Sequence, residues 1–160
     1  MKILFTLSIL LAVLTLKATE QQPDLLIYKS DTIYIDKFPL DLLAEMDSII
    51  ANKLIDSNCI SSDCWRQYIA TWKIENDSLF LIGLKDCCNF NPIPLKNVFS
   101  KNDIKDKKVF ANWYTDNITA GFGKNLGFLE VEWRYKFEKQ IVMIIDKGRI
   151  MKLSISTEKQ

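Results

Sequence analysis

Between Cys64 and Cys88 the chain reads CWRQYIATWKIE, then Asn76-Asp77, then SLFLIGLKDCC. Two runs of apolar, β-branched and aromatic residues on either side of Asn-Asp dictate a β-hairpin, because those two residues tolerate the positive φ of a tight hairpin turn. A two-residue turn also fixes register. Ile74 is expected opposite Leu79, Trp72 opposite Leu81, Ala70 opposite Gly83 and Tyr68 opposite Lys85, so that large side chains meet apolar partners and the two smallest meet each other. The same register sets Arg66 opposite Cys87, with Cys64 one diagonal step away at roughly 7–8 Å between α-carbons. A modest adjustment brings that pair into the disulfide range of about 4.4–6.8 Å. Cys64–Cys87 with Cys59–Cys88 is therefore the favoured pairing of the four cysteines. The competing arrangement, Cys59–Cys64 with a vicinal Cys87–Cys88 bridge, requires a strained ring.

The remaining patterns are mostly strand and turn. LLIYKSDTIYID predicts a hairpin around Lys29-Ser30-Asp31, and IVMII with IMKLSIS predicts another around DKGR, where Gly148 supplies a positive φ. EVEWRYKFE alternates strictly, with Val131, Trp133, Tyr135 and Phe137 facing one way and charged residues the other, as in a strand with one wet face. KNDIKDKK mixes signs and reads as a solvated loop before the aromatic run VFANWY. The exception is residues 40–55, where Leu42, Leu43, Met46, Ile49, Ile50 and Leu54 recur at helical spacing behind Pro39. The expected fold is mainly β (α+β): an antiparallel sheet or partly closed barrel with one packed amphipathic helix near residues 40–55.

The N-terminus carries one lysine, the uncharged run Ile3–Leu16, then Lys17, Ala18 and Thr19. This is the order of a secretory leader cleaved after Ala18, and the run is shorter than the about 20 apolar residues of a spanning helix. Residues 19–160 then form a single β-rich domain, long enough to bury about two thirds of its unfolded surface. Removing Lys2 and Lys17 lowers Lys+Arg from 21 to 19 against 20 Asp+Glu, a net charge near −1. That balance gives no electrostatic reason to bind nucleic acid or an anionic membrane. An even number of cysteines in an exported chain favours disulfides over metal or redox chemistry.

With no histidine in the chain, Ser-His and Cys-His nucleophile pairs and histidine metal sites are excluded. GFGKNLG holds three glycines but matches no dinucleotide or phosphate-loop spacing, and reads as a glycine-rich β-turn. Glu130 and Glu132 share a strand face at the separation an inverting glycosidase uses, about 6.5–9.5 Å. The same face carries Arg134, Lys136 and Glu138, the mixture of a solvated surface. No catalytic residue, metal or cofactor is assigned. The candidate binding residues are Trp65, Arg66, Trp113 and Arg134, with Asp63 or Asp86 as local acids that Arg66 could pair with instead.

CWRQYIATWKI, followed by LFLIGL, VFANWY and YKFEK, resembles a family of short exported bacterial proteins of unknown function that share a Cys-Trp-Arg-x-Tyr-x-x-x-Trp segment. The resemblance covers about residues 24 to 153 and implies export and a β-rich fold, with no catalytic residue. The functional expectation is a non-enzymatic protein of the periplasm or cell exterior that binds another macromolecule, for example as an inhibitor or immunity-type partner. A small-ligand-binding barrel is the alternative, and a carboxylate-based glycan hydrolase a third.

Overall fold

A computed structural model describes residues 21–35, 37–55, 59–129 and 134–157. Residues 1–18, where a leader is expected, lie outside the described residues, as do Glu130, Val131, Glu132 and Trp133 and the side chains of Arg134 and Tyr135. The chain is mainly β, and its sheet nearly closes into a barrel. Its strands are β1 (Asp24–Tyr28), β2 (Asp31–Ile35), β3 (Tyr68–Glu75), β4 (Ser78–Asp86), β5 (Ile104–Lys105), β6 (Lys108–Phe110), β7 (Asp116–Leu129), β8 (Arg134–Asp146) and β9 (Arg149–Thr157). The helices are α1 (Pro39–Met46), α2 (Ser48–Leu54) and α3 (Leu95–Val98). The order across the sheet is β2-β1-β3-β4-β9-β8-β7, with β6 paired to β4 and β5. The two ends of that path, β2 and β7, pack against each other, and Lys37 Nζ reaches Asp116 Oδ2 at 3.1 Å beside them.

The turns form where the turn chemistry lies. Asn76 and Asp77 take φ of 49° and 52°, and Lys147 and Gly148 take 45° and 75°. These left-handed pairs match the twist of the strands they join. From the first turn, Ile74 faces Leu79 and Trp72 faces Leu81, as the sequence predicts. Beyond them a register shift between Thr71 and Trp72 moves the pairing by one residue. Thr71 rather than Ala70 faces Gly83, Ala70 faces Leu84, and Tyr68 faces Asp86 rather than Lys85. The opposite edge of β3 carries β1 in parallel register, with Leu26 beside Trp72, so the sheet is not wholly antiparallel. A parallel pair needs a long crossover, which β2, α1 and α2 provide.

Three further expectations are corrected. Residues 40–55 form two helices rather than one, because Asp47 adopts an extended conformation and its side chain accepts hydrogen bonds from the N–H groups of Ile49 and Ile50. It caps α2 while ending α1. Leu40, Ile50 and Leu54 are buried as a result, whereas Met46 and Ile49 point to solvent. KNDIKDKK is not simply a loop, since Asp106 and Lys107, both at positive φ, turn β5 into β6. GFGKNLG lies inside β7 rather than in a turn, and two register shifts between Phe122 and Gly127 absorb it.

The interior is filled by side chains. Trp72, Leu79, Leu81, Ile118, Ile141 and Met143 are fully buried in one cluster that spans the sheet. Each large apolar side chain so buried stabilises the fold by about 1.5–3 kcal/mol.

Candidate functional site

Arg66 is a packing residue rather than a surface ligand. Both its side chain and that of Asp24 are inaccessible to solvent, and Nη1 lies 3.0 Å from Asp24 Oδ1. Nη2 donates to the carbonyl of Gln22 at 2.5 Å, and the guanidinium sits 3.6 Å from the centre of the Phe38 ring. Asp24 also accepts from the Ala70 N–H at 3.0 Å and from Trp72 Nε1 at 2.9 Å. Burial pushes its carboxyl pKa up, opposed by Arg66 and by these donors. The partner expected from nearby sequence, Asp63 or Asp86, is thus replaced by an acid at the head of β1. Next to this network the Tyr68 hydroxyl donates to Asp41 on α1. Burial raises the pKa of the Asp41 carboxyl, and burial with the Asp41 charge raises that of the Tyr68 phenol.

The cysteines pair as the hairpin geometry favours. Cys64 joins Cys87 with 6.3 Å between α-carbons, and Cys59 joins Cys88 with 5.7 Å. Cys59, Cys64, Cys87 and Ile69 form a second small buried cluster. The turn after β4 is held by the Asp86 carboxylate, which accepts from the N–H groups of Asn89 at 2.6 Å, Asn91 at 2.9 Å and Cys88 at 3.1 Å. Those donors, the Asn89 N–H foremost, hold its pKa below the usual carboxylate range. On the other side, Gln21 and Gln22 tie the segment before β1 to Ser62, Asp63 and the Trp65 N–H. Around this covalently closed lobe, Ile60, Trp65 and Phe90 are 88%, 66% and 54% exposed. Each is within two residues of a bridged cysteine.

Trp113 lies elsewhere. It is half-buried, stacks on Phe99 at 6.1 Å, meets Trp72 edge-on at 6.5 Å, and donates from Nε1 to the Pro39 carbonyl at 2.8 Å. These contacts place it in the wall of an open cleft of about 400 Å³ between the helices and the β5–β6 hairpin, which Lys105, Lys108, Asn102 and Asp47 also line. Lys108 is already paired with Glu75. The structure therefore keeps Trp65 and Trp113 apart and takes Arg66 out of solvent. Among the described residues, no group of three or more His, Cys, Asp or Glu side chains is placed to hold a metal.

Sequence reasoning missed Asp24 and Asp41, whose partners are 42 and 27 residues away. The only local signal was an acid standing at the start of an apolar strand.

The two disulfides point to an oxidising, non-cytoplasmic environment. No helix among the described residues is long and apolar enough to cross a membrane. No family model, curated protein or solved structure matches the chain.

Proposed function

We propose that this chain is a non-enzymatic exported binding protein, of the inhibitor or immunity type, that engages a protein partner through the disulfide-braced lobe around Trp65. The observation that carries this reading is the exposure of Trp65, Ile60 and Phe90 on a segment cross-linked twice. Large apolar side chains on a rigid support lose little freedom on binding, and tryptophan is over-represented among residues that dominate interface energetics. The leader-like N-terminus and the resemblance to short exported bacterial proteins support export.

The test compares envelope proteins retained by the immobilised oxidised chain and by its Trp65→Ala and Trp113→Ala variants. A partner held by the wild type and by W113A, but lost with W65A at unchanged thermal stability, is the expected result. Equal retention by W65A rejects the assignment. A mass spectrum of protein recovered from an exporting host checks localisation through loss of residues 1–18 and of four hydrogens.

A second reading, small-ligand binding, rests on the cleft beside Trp113, whose volume falls within the range of ligand sites. It does not rest on the barrel interior, which Trp72 and its neighbours fill. A carboxylate hydrolase would depend on Glu130 and Glu132, and unchanged glycan cleavage by E130A and E132A would remove it.

A further inference from the structure

Strand β9 is hydrogen-bonded along most of one edge and only at the start of the other. On its β8 side it is paired from Arg149 to Thr157, Met151 excepted. On the other side it pairs with β4 at a single position, Ser78 opposite Arg149, helped by the bond from the Ile150 N–H to the Asp77 carbonyl at 2.9 Å. The cause lies in β4, where Phe80 and Leu81 pair with Phe110 and Val109 of β6 instead. From Met151 onward β9 therefore presents an edge with no ladder partner among the described residues.

Proteins ordinarily blunt such an edge with proline, charge or distortion. Between Ile150 and Thr157 there is one charged residue, Lys152, and no proline. A register shift between Ile144 and Ile145 leaves Met151 without a direct partner on β8. Met151 and Ile155 are 66% and 43% exposed, so the edge carries apolar side chains as well as open backbone groups.

We propose that β9 is a self-association edge, through which two copies of the chain pair antiparallel about a two-fold axis at Leu153. The sequence is self-complementary in that register: Met151 meets Ile155 of the second copy, Lys152 meets Ser154, and Leu153 meets itself. The exposed apolar residues cover each other, and the lysines are not opposed. A two-fold axis at Lys152 would place like charges directly opposite, which destabilises a strand pair. The same edge could receive an extended segment of another protein, but only a second copy supplies this matched order of residues. A contact of one short strand per copy is small, below the about 1,200 Å² of standard interfaces, so the dimer forms reversibly with rising concentration.

Sedimentation velocity of the oxidised protein tests this between about 10 μM and about 1 mM. The expected result is a shift from monomer to dimer across that range, abolished by Met151→Lys with Ile155→Lys and retained by Ile49→Lys, an exposed apolar position on α2. Far-ultraviolet circular dichroism confirms that each variant is folded. Register is read from mixed Lys152→Cys and Ser154→Cys copies, which cross-link to each other in preference to themselves. A wild type that stays monomeric at about 1 mM, a dimer that survives the double lysine variant, or a monomer whose β9 instead binds an added strand peptide overturns the proposal.

Discussion

Replacing Arg66 with methionine keeps a long side chain over Phe38 while removing the charge that faces Asp24. The variant loses the Nη1 bond to Asp24 and the Nη2 bond to Gln22, and leaves a carboxylate with no access to solvent. Removing one partner of a buried pair costs about 3–5 kcal/mol, a large share of the about 5–15 kcal/mol by which domains are stable. At about 2–4 °C per kcal/mol for a chain near this size, the melting temperature should fall by about 6–20 °C. The pH dependence follows from the direction of the Asp24 shift. Burial already raises its folded pKa, and Arg66 is the foremost influence opposing that rise. Without Arg66 the folded pKa climbs further above the unfolded one. A carboxyl group shifted that way gives its full stability below the unfolded pKa, near about 4, and loses it as pH rises through the folded value. The deficit of R66M relative to wild type should therefore be greatest at neutral pH and shrink toward about pH 4. Urea unfolding with disulfides intact, followed by tryptophan fluorescence at both pH values, measures it. A variant within about 0.5 kcal/mol of wild type at neutral pH, or a deficit that grows on acidification, would refute the structural role given to this pair.

Gly148→Ala should destabilise by about 2 kcal/mol or more, since its φ is 75° and a Cβ would stand 2.5 Å from the Ala111 carbonyl oxygen; calorimetry checks this. Asp47→Ala removes the cap of α2 and should cost about 1 kcal/mol in urea unfolding, with a small loss of helical circular dichroism. Loss of both bridges should cost less than twice the about 3–4 kcal/mol expected for the Cys64–Cys87 loop alone. The loops are nested, so once Cys64–Cys87 is closed, Cys59–Cys88 restrains only a short additional segment. Paired serine variants, singly and together, test that non-additivity by their unfolding midpoints.

Local chemistry made much of the fold legible. Asn76-Asp77 fixes the β3–β4 turn and the register near Ile74 and Trp72, and the expected cysteine partners form even though the register at their end of the hairpin is displaced by one residue. The shift at Thr71 could not be read, because it lies where β3 also takes β1 as a parallel neighbour, a contact between segments more than forty residues apart. The helix break was present as Asp47-Ser48, a capping pair inside an apolar repeat, but periodicity alone runs through it. At the candidate site, an aromatic, arginine-containing stretch did contain the residues that matter, yet local sequence does not tell exposed from buried. Trp65 is exposed while Arg66, next to it, is sealed, and the difference is made by Asp24 and Phe38 from distant elements.

The bridges also alter what this chain does when it unfolds without being reduced. They fasten the open end of the β3–β4 hairpin, opposite the Asn76-Asp77 turn, so the oxidised unfolded chain keeps the two strands tethered at both ends. Searching for their pairing becomes a problem of a small closed ring rather than of a free segment. Folding from that state should begin with a ready-aligned β3 and β4, onto which β1 and the β8–β9 hairpin add. The reduced chain has to find the same alignment unaided, and so should refold more slowly even under conditions where its final structure is still stable.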